Sequence, residues 1–409
     1  MEIAVIGSGI SGLMASYLLS EKHKVVLYES NNYLGGHTNT VIVDIDDTPI
    51  PIDTGFIVYN EANYPNFSQL LSELEVNTQP SSMGFSVKLA GSGLEYNGSS
   101  LNQLFAQRRN LLRPSFYRMI YDVLRFNKEA PRFVISGPIG TTLGQYIADY
   151  KYSKQFVYDY LIPMGAAIWS TPPSQILEMP ATFFIQFFNN HGMLSVHGRP
   201  QWRTITGGSS EYVQRIITPF RDTIRLNHKV NNIERLKDRV IIDGDSYDHV
   251  VLACHSDQCL QALSDPSERE SDILSKLPYQ KNEVTLHKDT SILPQRKGVW
   301  AAWNYHLKGE SHSPVAVTYN MNILQGLDLS ETICVTLNSS ELINPERVIG
   351  QYLYSHPRFS PQSVETQQRW AEISGVNRTH YCGAYWGNGF HEDGVNSAIR
   401  VASTFKMRQ

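Results

Sequence analysis

Three glycines, Gly7, Gly9 and Gly12, stand in the hexamer Gly7-Ser8-Gly9-Ile10-Ser11-Gly12, and a carboxylate, Glu29, follows 22 residues after the first of them. At this spacing Gly7 permits a tight turn, Gly9 lets a pyrophosphate approach the backbone, and Gly12 lets a helix pack closely on a strand. A carboxylate at the position of Glu29 accepts hydrogen bonds from ribose hydroxyls. The chemistry is recognition of a dinucleotide, and it requires the glycines to join a buried strand to a helix. Ile3 to Ile6 is an apolar run of the kind buried on both faces of a parallel sheet, and Leu13 to Ser20 carries a helical pattern. The free N–H groups and partial positive charge of that helix N-terminus face the phosphates. A second strand, Lys24 to Glu29, ends on the carboxylate.

Two further segments extend the reading. Asn31-Asn32-Tyr33-Leu34-Gly35-Gly36-His37-Thr38 places a glycine pair directly after Glu29 and Ser30, where backbone can pass a ligand without Cβ clashes. Near the other end, Tyr381-Cys382-Gly383-Ala384-Tyr385 reads as a buried strand running into the loop Trp386 to Gly394, with a helix from about Val395. Both segments, with Asp53-Thr54-Gly55-Phe56, resemble motifs of the amine oxidase, protoporphyrinogen oxidase and phytoene desaturase flavoproteins. The resemblance implies FAD. Gly35, Gly36, His37, Thr54 and Gly55 would then flank the cofactor, joined by Gly383, Ala384, Gly394 and Val395 at the flavin end. It also implies backbone contacts from Val230 and Ala253 to the nucleotide, although both read equally well as sheet core. The chain departs from the pattern at Tyr33 and His37, where that superfamily commonly has arginines, so helix and backbone N–H groups must carry more of the phosphate binding. No second G-x-G-x-x-G lies between a strand and a helix, so no NAD(P)H domain is expected and electrons enter from an organic substrate.

Composition bounds the rest. With 35 Lys plus Arg against 39 Asp plus Glu in 409 residues, the net charge of −4 gives no global field for nucleic acid. The four cysteines, Cys254, Cys259, Cys334 and Cys382, lack zinc or disulfide spacing and suit a reducing compartment. The first strand starts immediately after Met1, and no apolar run reaches about 18 residues. A cytoplasmic protein, at most peripheral at a membrane, is expected. His391, Glu392 and Asp393 are adjacent on one loop and do not converge on an ion, so no metal is expected.

Several stretches resemble the flavoprotein-like N-terminal region of plant cyclopropane fatty acid synthases and the stand-alone bacterial flavoproteins similar to it. They include Leu161 to Ser170, His197 to Trp202, Gly207 to Val213, Trp300 to Tyr305 and Asn322 to Gln325. The resemblance covers nearly the whole chain. It implies action on unsaturated, methylated or cyclopropanated acyl chains, and a lipid methyltransferase partner acting in trans, since the chain stops at Gln409. Ala181 to Phe188 is rich enough in aromatics for an apolar ligand, though helix core explains it as well. Between Leu101 and Lys128 six cations face one acid, interleaved with apolar residues, which suits either an anionic lipid surface or a solvated face.

Flavin dehydrogenation needs the reacting C–H bond held in a water-poor pocket and a group to take a proton. Candidate polar groups are His37, Tyr385 and His391; Trp169, Trp303 and Trp386 are candidate walls. His197, His255 and His287 read by default as core histidines. Three functions fit: a lipid-acting flavin oxidoreductase, an amine oxidase, or an FAD-binding accessory to a lipid methyltransferase. The expected architecture is α/β: a discontinuous Rossmann-like FAD domain from 1–65, 200–265 and 370–409, with an α+β substrate domain from 66–199 and 266–369, helix-rich first and sheet-containing second.

Overall fold

The computed structural model describes residues 1–89, 91–138, 140–169, 173–195, 198–307 and 316–406. His197 and Ser170 lie outside the described residues.

A five-stranded parallel sheet organises one side of the molecule. Its order is Ile224–Arg225, β2 (Lys24–Tyr28), β1 (Glu2–Ile6), His249–Leu252 and Thr379–Tyr381. Both faces are covered, which is why these strands read as continuous apolar runs. Alternation then sorts the side chains. Ile3, Val5, Val25, Leu27 and Val251 pack with α1 (Ile10–Ser20) and the closing helix His391–Lys406. Ala4, Ile6, Val26, Tyr28, Val250 and Leu252 pack under a three-stranded meander and the helices Ser256–Ala262 and Glu268–Ser275.

The β-propensity of Thr223 to Val230 gives only a short strand. Only Ile224–Arg225 pairs, parallel to β2, because Asn227 adopts φ +54° and the N–H groups of Asn227 and His228 turn back to the carbonyls of Asn31 and Glu29. A three-stranded meander follows, of Ile233–Arg235, Val240–Ile242 and Asp245–Tyr247.

The other side is a seven-stranded sheet in the order Val348–Pro357, Tyr279–His287, Cys334–Leu337, Ala316–Asn320, Trp303–Leu307, Phe85–Leu89 and Leu94–Asn97. Its last two strands come from the segment 66–199 that sequence reads as helix-rich, and Phe85–Leu89 pairs parallel with Trp303–Leu307. Helices between 101 and 190 pack on this sheet through a large aromatic core that holds Phe126, Tyr146, Phe156, Phe184 and Phe188.

A hairpin, Thr40–Ile45 with Thr48–Asp53, turns at Asp46 and Asp47, whose φ values of +50° and +60° suit a two-residue turn of the mirror-image type. Its Val43, Ile45 and Ile52 pack on the seven-stranded sheet. Asp53 ties the hairpin to the turn before Ser210–Ile216: its carboxylate accepts from Ser209 N, Ser209 Oγ and Thr40 Oγ1. Burial pushes this carboxyl up to about 6.

Candidate functional site

The turn from β1 to α1 is built as its glycines require. Gly7 sits at φ +101° and donates its N–H to Tyr28 O at 2.8 Å. A Cβ on Gly12 would stand 1.8 Å from Gly7 O, so no other residue fits there. Gly9 differs: its φ of −63° suits any residue, and a Cβ there would point into open space. The glycine pair closes over it, with Gly35 N donating to Ser8 O at 3.1 Å and Gly36, at φ +60°, facing the Gly9 Cα. Glu29 is buried and pre-oriented, its carboxylate accepting from Ser8 N and Oγ, Asn31 N and Ser30 Oγ.

The two ends of the chain meet here. A Cβ on Gly394 would lie 2.7 Å from Ile10 Cγ2 and 2.9 Å from Ser11 Oγ, so the closing helix rests on the start of α1. That helix begins at His391, four residues earlier than the sequence suggests. The reason is local: Asp393 accepts from Phe390 N, and Gly394 acts as a packing residue rather than a breaker. Glu392 turns away from the cavity and caps the helix Pro65–Glu73, accepting from Asn66 N, Asn66 Nδ2 and Phe67 N. Charge-assisted bonds to buried N–H groups are the strong ones. Glu392→Ala is expected to cost about 2–3 kcal/mol, read as a lowered urea midpoint with the flavin content per folded molecule unchanged.

A cavity of about 610 Å³ opens where these elements meet. Gly7, Gly9, Ile10, Ser11, Glu29, Ser30, Gly35, Gly36, His37, Val230, Ala253, Gly383, Ala384 and Tyr385 all line it. Gly12, Gly394 and Val395 lie behind the wall, where they pack the two helices. Lys229 is the one Lys or Arg among the described lining residues, so the departures at Tyr33 and His37 are not made good by an arginine from elsewhere in the wall. Histidines stand there instead. The His37 ring lies 5.0 Å from His356 and 6.3 Å from His255, which stacks on Tyr279 at 4.1 Å. Burial, followed by the neighbouring imidazoles of His356, His255 and His391, holds His37 well below its ordinary value; burial brings His356 down to about 4.

A second, smaller pocket of about 200 Å³ adjoins the first, sharing His37, Tyr354, His356, Phe390 and His391. Thr54, Gly55, Trp169 and Trp303 line it, with Phe56, Tyr64, Phe187, Met193 and Phe359. Trp303 Nε1 is buried with no acceptor among the described residues. Trp386 lines neither cavity. Its ring lies 5.2 Å from Tyr385 and packs against the cores flanking the parallel sheet. The phenol of Tyr385 is held protonated by burial.

His391 stands at the junction, stacked on Phe56 with centroids 3.5 Å apart, and its Nε2 lies 3.1 Å from Thr38 Oγ1 and 3.2 Å from Tyr212 Oη. Burial brings it down to about 3. His191, which sequence did not single out, also lines the pocket: Nδ1 lies 3.0 Å from Phe187 O, and the ring stacks on Phe187 at 3.8 Å. Nδ1–H donation to that carbonyl leaves Nε2 as an acceptor. No local motif marks His191, because it follows the end of the helix Ala181–Asn190 and reaches the pocket only through packing. His287 lies away from both cavities, paired with Thr336 Oγ1 at 2.7 Å, a core histidine.

A polar cavity walled by a glycine turn, a helix N-terminus and a buried acid, opening onto an aromatic pocket, fits a cofactor with a dinucleotide tail and a flat redox-active ring. Residues 10–282 match the family described as flavin containing amine oxidoreductase. No curated protein matches by sequence. The fold is similar to that of cyclohexylamine oxidase from Brevibacterium oxydans IH-35A, at 15% identity and a TM-score of 0.72 over 100% of this chain and 99% of that one. It is also similar to a CLA-producing fatty acid isomerase from P. acnes, at 14% and 0.73 over 98% of each chain. Putrescine oxidase bound to putrescine gives 13% and 0.68 over 100% of both. At these identities the likenesses establish the fold. With the family match spanning well over half its length, the chain belongs to the flavin-containing amine oxidoreductases and is an FAD-dependent oxidoreductase of their two-domain architecture.

Proposed function

We propose that this protein dehydrogenates an apolar, lipid-linked acyl chain at an activated position, such as one allylic in an unsaturated or methylated fatty acyl group. One observation carries the reading. The pocket beside the dinucleotide cavity is walled by aromatic and thioether side chains, and its described lining contains no Asp, Glu, Lys or Arg. Such a surface gives a methylene chain dispersion contacts and offers an ammonium group no counter-charge. A fatty acid isomerase shares this fold, which supports the reading.

FAD supplies the two-electron acceptor when bound. Its nucleotide half would be held by Gly9, Gly36 and Glu29 with backbone from Val230 and Ala253, and Gly383 and Ala384 would flank its flavin half. Thr54 and Gly55 from the smaller pocket, with His391 at the junction, would flank its ring system. Trp169, Trp303, Phe187 and Phe359 hold the chain and exclude water. His191 and His391 present neutral imidazoles to the chain, and His37 lines both pockets. The closing helix carries acids in its first turn, but Glu392 is bound to the helix Pro65–Glu73, and burial lifts Asp393 to about 6.

Anaerobic mixing of the yellow protein with phospholipids carrying unsaturated, methylated or cyclopropane chains tests the reading. Bleaching of the flavin absorbance by a lipid is expected. Bleaching by primary amines alone would assign amine oxidation instead. No bleaching by either, with tight binding to a lipid methyltransferase, would assign an accessory role.

A further inference from the structure

The outer face of residues 101–135 plays no part in either cavity, and its composition is unlike the rest of the surface. The helix Pro114–Ser136 turns Phe116, Met119, Phe126, Ala130 and Phe133 into the core. Along its opposite side Tyr117, Tyr121, Leu124, Lys128, Arg132 and Ile135 form one exposed line at helical spacing. The turns before it add Leu101, Leu111 and Leu112. Leu101 is 77% exposed, and Leu112 and Ile135 are each 88% exposed, an unusual cost for aliphatic side chains left in water.

Charge sorts the same way. Residues 101–135 hold seven cations and two acids, a surplus of five positive charges in a chain whose formal total is −4. Both acids are already engaged. Asp122 is fully buried, bound by Arg118, Arg125 and Ser153 N, and Glu129 accepts from Tyr152 Oη and lies 3.6 Å from Arg125. The uncompensated charges facing outward, including Arg109, Arg113, Lys128 and Arg132, are all positive.

We propose that this face docks the protein on an anionic phospholipid bilayer, with Leu112, Leu124 and Ile135 entering the headgroup boundary, the tyrosines at its level and the cations on the phosphates. Three alternatives fit less well. A second copy would set like charges against each other. Nucleic acid would gain nothing from exposed leucine and isoleucine. An acidic protein would not require aliphatic side chains at both ends of the stripe. A bilayer satisfies all three kinds of side chain at once. The inference does not rest on the substrate: docking and oxidation are separate readouts.

The test is co-sedimentation of the FAD-loaded protein with phosphatidylcholine vesicles, with and without phosphatidylglycerol. Binding is expected only to the anionic vesicles, and it should weaken at least tenfold when salt rises from about 0.05 to about 0.5 M. The double substitution Leu112→Glu with Ile135→Glu, and separately Lys128→Glu with Arg132→Glu, should each cut binding at least tenfold while leaving flavin content and circular dichroism unchanged. Equal binding to neutral vesicles, no binding to either, or indifference to both pairs of substitutions would overturn the proposal. So would a dimer in solution that the Leu112/Ile135 pair abolishes.

Discussion

Valine in place of Gly9 is expected to leave a folded but colourless protein, whereas valine in place of Gly12 is expected to leave no stable protein at all. The two glycines share one turn and differ in what surrounds them. At Gly9 the backbone angles suit an L-residue and a Cβ meets nothing, so the unliganded fold has no reason to object. That open space is where a pyrophosphate must touch the backbone, so branched carbons there displace the cofactor. FAD affinity should fall by about 1,000-fold or more, equivalent to roughly 4 kcal/mol, with thermal unfolding of the flavin-free protein unchanged. At Gly12 the Cβ would sit 1.8 Å from a backbone oxygen, and strand and helix must separate to admit it. A cost above about 4 kcal/mol follows from such overpacking at an immovable contact. Flavin fluorescence quenching and urea denaturation on the two variants distinguish these outcomes. Equal behaviour would contradict the assignment.

The second large effect concerns acid. Burial lowers His37 well below its ordinary value, brings His191, His287 and His356 to about 4, and brings His391 to about 3. A histidine whose folded value is depressed binds its proton more readily when unfolded. Its contribution is therefore intact above about pH 6.5 and is lost as pH falls from there toward the folded value. Each of the five contributes a slope of up to about 1.4 kcal/mol per pH unit. Asp53, Asp159 and Asp393 act in the opposite sense, because burial raises each to about 6, and the folded state takes up their protons between about pH 6 and 3.8. The histidines outweigh these carboxylates, so the flavin-free protein is expected to lose stability as pH falls from 7 to 5. Loading with FAD should blunt this loss, since a pyrophosphate in the cavity favours protonated His37, His255 and His356. Urea titrations at pH 7, 6 and 5, with and without FAD, check both signs. Stability that is flat or rises on acidification would refute the neutral-histidine description.

The nucleotide end was legible because every signal there is local. Strand, Gly7-x-Gly9-x-x-Gly12, helix and Glu29 fit in 29 consecutive residues, and each glycine has a steric reason visible in the spacing. The closing loop was legible as a motif but not in its boundaries. Gly394 reads as a helix breaker until its contact with Ile10 and Ser11 is seen, and Trp386 reads as a pocket wall until its ring is found among the cores on either side of the parallel sheet. What sequence could not supply was assembly across distance. His255 follows the strand His249–Leu252, His356 ends the strand Val348–Pro357, and His37 follows the glycine pair, so nothing in any one segment announces that three imidazoles meet. Asn227 at φ +54° likewise ends a strand that β-propensity alone would have continued to Val230.

Titration of the deflavinated protein with FAD, followed by flavin fluorescence and repeated with ADP and with FMN, is the most direct test of the cavity assignment. One FAD should bind per chain, ADP should compete with it, and FMN, which lacks the adenylate half that Gly9, Gly36 and Glu29 would hold, should bind far more weakly. Failure to bind FAD, or FMN binding as tightly as FAD with no competition from ADP, would contradict it.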